Sequence, residues 1–293
     1  MRFEKWQALG NDYLIIERDE LPFELTPARI RRLCEGHFGV FADGVLVLAA
    51  PEDPTNVADL RIFNPDGSEA ALSGNGAREA IMYLRRRGWT DQDSFSIATA
   101  AGVIRPTITG PDTCTVDMGS ASLSSADFPA GAPDGLGEVE SDGRRWSFRH
   151  VWIGNPQCAI HVGSRARLEE LDLGAIGPAI EADAQFPNRT NVSWYSELEP
   201  APGDGRARIR ARIFERGVGE TLSSGTGASG AAIAHLQERG AQTRDGRVVV
   251  LLDGGELEVE VGEDLRVNLT GWARPVFEGR LSEDFTKELH ETE

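Results

Sequence analysis

Two serines, Ser73 and Ser224, each stand directly before a Gly-x-Gly-Ala run: Gly74-Asn75-Gly76-Ala77 and Gly225-Thr226-Gly227-Ala228. Each run leads into an apolar stretch with helical spacing. The first stretch, Ala77 to Arg87, stops at Gly88, and the second, Ala228 to Leu236, is closed by Gly240. A helix start leaves backbone N–H groups without intrahelical partners, and a glycine-rich turn lets a ligand approach them closely. The chemistry open to such a turn is anion binding, here of a carboxylate or a phosphate. Arg216, upstream of the second turn, adds a planar fork that can clamp a carboxylate with two hydrogen bonds.

The elements that must hold these residues recur as well. Ile62 to Ala77 lies over Ile213 to Ala228 at an offset of 151 residues without a gap, and Ile, Phe, Glu, Ser, Gly, Gly and Ala coincide. Both copies read as strand, turn and helix. This predicts an internal duplication giving two similar lobes, each presenting one helix N-terminus, with a ligand in the cleft between them. Two copies at so long a period exclude a solenoid. Elsewhere the alternation predicts a hairpin-like pair from Arg2–Gln7 and Tyr13–Glu17, and a helix capped by Thr26 with Pro27 at its first position. Further strands are expected at 45–49, 58–63, 94–99, 103–108, 113–118, 146–152, 158–162, 192–195 and 208–214. Short helices are expected around 167–171 and 176–182. The tail reads as strands at 248–252, 257–261, 265–269 and 274–277, ending in a charged, frayed terminus. Ser120 to Gly143, rich in Ser, Ala, Pro, Gly and Asp, is the expected crossing between lobes. The fold class is therefore α/β of the α+β kind, with two pseudo-symmetric lobes, each a curved, mostly antiparallel sheet around a central helix. The lobes are expected at 1–120, with 270–293 returning to it, and at 121–269.

Composition narrows the function. With 47 acidic and 30 basic side chains the net charge is −17, which disfavours nucleic acid as a partner. No stretch approaches 18 apolar residues and the N-terminus lacks an apolar leader core, so a cytoplasmic location and no membrane association are expected. Cys34, Cys114 and Cys158 are odd in number and irregular in spacing, against a disulfide framework or a metal site. Cys34 and Cys114 are expected to pack as small hydrophobes. Lys5 and Lys287 are the sole lysines, the other basic side chains being arginine. GC-rich coding accounts for that bias, and an acidic surface suited to high salt is the alternative.

Over nearly its whole length the chain resembles the diaminopimelate epimerase family. The marks are Leu9-Gly10-Asn11-Asp12, Ala42-Asp43-Gly44, Asn64-Pro65-Asp66-Gly67-Ser68, Ser73-Gly74-Asn75-Gly76, Gly154-Asn155-Pro156, Pro187-Asn188-Arg189-Thr190-Asn191-Val192, and Glu215-Arg216-Gly217-Val218-Gly219-Glu220-Thr221 through Ala228. The resemblance implies two pseudo-symmetric lobes, cofactor-independent inversion of an amino-acid α-carbon in lysine and cell-wall synthesis, and a dimer. It implies that Asn11, Asn64, Asn155, Asn191 and Arg216 grip the non-reacting end of a diamino dicarboxylate such as diaminopimelate. Gly74, Asn75, Gly225 and Thr226 then hold the reacting carboxylate.

The departures fall on the chemistry. Where the family has two cysteines as bases, this chain has Ser73 and Ser224, and where it has a histidine after Gly-Asn-Pro, this chain has Gln157. A free thiol has a pKa of about 8.5, whereas an alcohol lies nearer bulk water, about 15.7. That gap corresponds to roughly 10 kcal/mol in forming the base, and a helix N-terminus contributes only about 0.3–1 kcal/mol. Two serines cannot run a two-thiol exchange at a useful rate. Cys158 is no substitute, because if Gln157 faces the ligand, strand alternation turns Cys158 away. The available replacement bases are carboxylates: Glu215 beside Arg216, with Asp66 and Glu69 flanking the first turn. Glu69 and Glu220, matched across the repeat, are better read as bonding the N–H groups of their own turns. Three readings follow: thiols deliberately replaced in an epimerase, a natural relative using carboxylate bases, or a binder without catalysis. Gln157, Ser223 and Ser229 exceed a two-residue replacement and favour natural divergence.

Overall fold

The computed structural model describes residues 1–200, 206–240 and 246–292. In chain order its elements begin β1 (Arg2–Ala8), β2 (Asn11–Glu17), α1 (Pro27–Cys34), β3 (Val45–Ala49), β4 (Ala58–Phe63), β5 (Glu69–Ala70), α2 (Gly74–Arg86), β6 (Ile97–Thr99), β7 (Gly102–Ile104), β8 (Thr107–Ile108) and β9 (Thr113–Ser120). There follow β10 (Leu136–Ser141), β11 (Arg144–Trp152), β12 (Pro156–His161), α3 (Arg165–Glu169), α4 (Leu173–Glu181), β13 (Asn191–Leu198), β14 (Ala207–Glu215), β15 (Gly219–Thr221) and α5 (Gly225–Arg239). The chain closes with β16 (Arg247–Leu252), β17 (Gly255–Val261), β18 (Arg266–Trp272), β19 (Arg274–Arg280) and α6 (Glu283–Glu291). Two compact units result: Met1–Val116 with Gly271–Glu293, and Asp117–Thr270.

The first unit is a mixed sheet in the order β19-β1-β2-β3-β4-β6-β7, with β5 on β4. Its β2–β3 and β4–β6 pairs are parallel and the others antiparallel. Strands buried on both faces read as continuous apolar runs, and the period of two sorts them. Leu14, Ile16, Val45 and Val47 join a core with Ile30 and Leu33 of α1 and Leu289 of α6. Leu46 belongs to the opposite face, where α2 packs on β1, β2 and β3. Thr26 caps α1 on the Arg29 N–H with Pro27 in the first turn, as its sequence predicts.

The second unit's sheet runs β10-β11-β12-β13-β14-β16-β17-β18-β9, with β15 on β14, while β8 pairs with the first-unit part of β9. Its β12–β13 and β14–β16 pairs are parallel. Cys158, Ile160, Val192, Trp194 and Phe214 pack with Leu168 of α3 and with Leu173, Ile176 and Ile180 of α4. On the other face α5 lies against β11 to β14, β16 and β17. Its glycines permit that approach: a Cβ on Gly227 would meet Ile213 at 2.6 Å, and one on Gly230 would meet Gln157 at 2.9 Å.

Four expectations are corrected. The tail is not frayed, because α6 is capped by Ser282 on the Phe285 N–H and buries Leu289. No continuous strand spans 103–108: Pro106 has no N–H to give the ladder, and two short strands, β7 and β8, stand on either side of it. Likewise 94–99 shrinks to β6 with an isolated bridge at Ser94. Within Ser120–Gly143 the strand β10 forms at its end and pairs with β11.

Candidate functional site

Both helices carrying the glycine-rich turns start earlier than their apolar pattern suggested, at Gly74 and Gly225, with Ser73 and Ser224 as the N-cap residues. Ser73 Oγ accepts the Gly76 N–H at 3.1 Å, and Ser224 Oγ accepts the Gly227 N–H at 3.3 Å. This is ordinary N-cap chemistry, in which a side-chain oxygen satisfies a helix-start donor. It also removes one backbone donor from each turn as an anion ligand.

The repeat extends to side chains that the pattern misassigned. Glu69 and Glu220 do not bond the N–H groups of their turns. Glu69 takes Arg61 through both oxygens, at 2.9 and 2.8 Å, and Glu220 takes Arg212 Nε at 2.8 Å. Arg61 and Arg212 are themselves 151 residues apart. Each pair clips a short strand, β5 or β15, onto the strand entering its turn.

The two serines differ in their other partners. Ser73 Oγ accepts a hydrogen bond from Tyr13 Oη at 3.2 Å. Ser224 Oγ donates to Glu215 Oε2 at 3.0 Å, while Glu215 Oε1 accepts from Thr221 Oγ1 at 2.8 Å. Burial raises the Glu215 pKa against the opposing effect of those two hydroxyls. Unit two thus contains a hydroxyl joined to a basic carboxylate, whereas the Ser73 hydroxyl meets a phenol. Asp66, the other carboxylate considered, accepts from Ser68 N and Oγ, which lower its pKa. It is engaged in its own turn.

In the first unit, Asn11 and Asn75 are joined, Asn75 Nδ2 donating to Asn11 Oδ1 at 3.1 Å. Asn11 Nδ2 donates to Asp43 Oδ2 at 2.8 Å. Asn64 instead holds the Asn-Pro-Asp-Gly turn, its Nδ2 donating to Ser68 Oγ at 2.9 Å. In the second unit, Asn191 Oδ1 accepts the Arg216 N–H at 2.9 Å and its Nδ2 donates to the Pro156 carbonyl at 3.3 Å. Asn155 Oδ1 accepts from Gln157 Nε2 at 2.5 Å. Asn155 and Arg216 line a cavity of about 510 Å³ together with Asp127, Pro156, Asn188 and Arg189. The exposed Arg216 guanidinium is anchored by Nη1 on the Asn188 carbonyl at 2.7 Å.

Gln157 lies against α5, and Cys158 is buried in the opposite core, where burial pushes its thiol pKa well up. Cys34 and Cys114 are buried too, each pushed up to about 12. Among the described residues no thiol is placed to act as a base.

Residues that sequence reasoning overlooked hold the set in place. Glu181, buried on α4, accepts both the Gly217 N–H and Arg189 Nη2 at 2.8 Å. It ties the turn carrying Arg216 to the segment leading into Asn191. Nothing in its local sequence marks it, because its role depends on two loops distant along the chain. In the sequence Tyr13 stands out only as a strand residue, and Asp43 only as part of the Ala42-Asp43-Gly44 motif.

A family model described as diaminopimelate epimerase matches residues 3–124 and 150–274. A diaminopimelate epimerase of Synechococcus sp. (strain JA-3-3Ab) is 37% identical over 291 residues, covering 97% of this chain and 99% of that protein. One of Pelotomaculum thermopropionicum is 38% identical over 288 residues, covering 95% and 98%. A solved phenazine biosynthesis protein of the PhzF family from Bacillus anthracis superposes with a TM-score of 0.68 at 20% identity, over 96% of this chain and 99% of that one. At that identity the likeness is one of fold.

Proposed function

Since the chain belongs to the diaminopimelate epimerase family, we propose that it binds a diamino dicarboxylate such as diaminopimelate and that Glu215, acting through Ser224, is its base. In the second unit Asn155, Asn191 and Arg216 take one carboxylate, and Gly225 and Thr226 take the other. The family resemblance gives Asn11 and Asn64 the first role, and Gly74 and Asn75 the second. The observation that carries this reading is the hydrogen bond from Ser224 Oγ to the half-buried Glu215 carboxylate.

Through that bond the serine never has to become an alkoxide. As its hydroxyl proton passes to Glu215, Oγ receives the α-proton, so a carboxylate and a C–H become a carboxylic acid and a stabilised carbanion. The effective base is then a carboxylate whose pKa burial has raised above its ordinary value, which makes it a stronger base than an exposed carboxylate. The roughly 10 kcal/mol shortfall of an unaided alcohol does not apply to this step.

Inversion needs a second group to return a proton on the other face. At the other position where the family resemblance places a base, Ser73 has, among the described residues, Tyr13 Oη and the Gly76 N–H as partners and no carboxylate. The reading is therefore α-proton exchange without efficient epimerisation, with no metal or cofactor invoked. Incubation with diaminopimelate stereoisomers in heavy water, followed by mass and chiral analysis, tests it. Deuterium is expected at the α-carbon with little inversion, and Glu215→Gln should abolish it. Epimerisation at an ordinary enzymatic rate, or exchange that survives Glu215→Gln, sinks this assignment. Binding with no exchange at all would instead mark a ligand-binding relative.

A further inference from the structure

Asn11 and Asn75 form a short chain of amides ending on ions of opposite hydrogen-bonding character. At one end Asp43, a carboxylate that can only accept, receives Asn11 Nδ2 at 2.8 Å and the Asp12 backbone N–H at 3.0 Å. Asn11 Oδ1 accepts from Asn75 Nδ2 at 3.1 Å. At the other end Asn75 Oδ1 accepts from Arg78 Nη2 at 2.6 Å, and a guanidinium can only donate. Arg78 is itself fully buried on α2, and its Nη1 donates to the Gly74 carbonyl at 3.0 Å.

An asparagine amide turned over by half a revolution exchanges its oxygen and nitrogen at little steric cost. Here a turn of Asn75 would set an N–H against the buried Arg78 donor, and a turn of Asn11 would set an oxygen against the Asp43 carboxylate, so each loses a charge-assisted hydrogen bond and gains a repulsion. We infer that Asp43 and Arg78 are positioning residues that lock both amides in one orientation, so that Asn11 offers an N–H, not a carbonyl oxygen, to the ligand. The lock makes this end of the set selective for a group that accepts, a carboxylate, over its carboxamide. The inference rests on the proposed binding of a diamino dicarboxylate.

The test turns on sign. Removing the negative charge of Asp43 would, by electrostatics alone, strengthen binding of an anionic ligand. If the lock is what matters, Asp43→Asn frees the amides and weakens binding. Titration calorimetry with meso-diaminopimelate and its two monoamides is expected to show Asp43→Asn about tenfold weaker for the diacid. The preference for diacid over monoamide should shrink with it. Arg78→Lys, still a donor only, should stay within about threefold of the parent chain, whereas Arg78→Gln should behave like Asp43→Asn. Unchanged or tighter binding by Asp43→Asn, or an Arg78→Gln variant equal to the parent, overturns the inference. In ligand-free protein, NMR coupling across the hydrogen bond from Asn75 Nδ2 to the Asn11 side-chain carbonyl should be present, and lost in Asp43→Asn. Should the parent chain bind no diamino dicarboxylate, the proposed function fails. The coupling then still decides the lock, and its absence in the parent refutes it.

Discussion

At the scale of single residues, the two serines do something a thiol does poorly. Each caps a helix through its hydroxyl, and losing an N-cap costs about 0.5–2 kcal/mol. Ser73→Cys with Ser224→Cys is expected to raise epimerase activity on diaminopimelate, while each substitution lowers stability by about 1 kcal/mol. Adding Gln157→His should raise activity further by supplying a group that can take a proton from a thiol. A coupled epimerase assay alongside thermal melts checks both parts; a silent double-thiol variant would mean that the site serves other chemistry. Arg216 should matter more for affinity than Ser73 does. Arg216→Ala is expected to weaken diaminopimelate binding by about 1.5–3 kcal/mol, the range for hydrogen bonds to charged groups, and Ser73→Ala by less. Equal dissociation constants for the two variants would remove Arg216 as the carboxylate clamp.

At the scale of elements, the second unit depends on ties made from α4 and β11. Glu181 on α4 receives Gly217 and Arg189, so Glu181→Ala should loosen both loops at once. The expected cost is about 1–3 kcal/mol of stability for the donors left unsatisfied, with weaker ligand binding as a consequence. Denaturant melts and calorimetry measure the pair, and a variant as stable and as tight as the parent would count against the tie. His150 on β11 is buried beside Phe128 and Phe186, its Nε2 paired with Ser125 Oγ at 2.9 Å. Burial pushes its pKa down to about 4 from 6.5. The unfolded chain therefore binds this proton more readily than the folded one. The stabilisation is fully present above pH 6.5 and declines as pH falls toward 4, by roughly 3 kcal/mol in total. A His150→Phe variant should lose less stability than the parent over that interval; identical pH profiles would exclude His150 as the cause.

At the scale of the whole molecule, a net charge of −17 dominates. Many of its arginines are engaged by carboxylates, as in Arg210 with Glu169 at 2.8 Å and Arg274 with Asp112 at 2.6 Å, yet a large acidic excess remains. Added salt screens that self-repulsion, so the melting temperature should rise by several degrees between low and molar potassium chloride. A flat or falling curve in scanning calorimetry would leave the arginine bias to coding alone. No helix among the described residues is long and apolar enough to cross a membrane.

The sequence by itself determined the parts that depend on local pattern. The strand, turn and helix around Ser73 and around Ser224 follow from apolar period and glycine placement, and each forms. So do the α1 cap at Thr26, the β1–β2 pairing and the opposite facing of Gln157 and Cys158, the last because strand alternation has a fixed period of two. The family too was legible, since its motifs are runs of consecutive residues. Tertiary structure alone decided which side chains share a proton or a hydrogen bond. Glu69 and Glu220 went to arginines on neighbouring strands, because strand pairing sets them opposite Phe63 and Phe214 and so diagonal to Arg61 and Arg212, while the serine oxygens already cap the turns. Tyr13 reached Ser73, Glu181 bridged two loops, and Asp43 and Arg78 closed on the asparagine pair from 32 residues after Asn11 and three residues after Asn75. Such contacts are set by how strands and helices pack, and no local period encodes them.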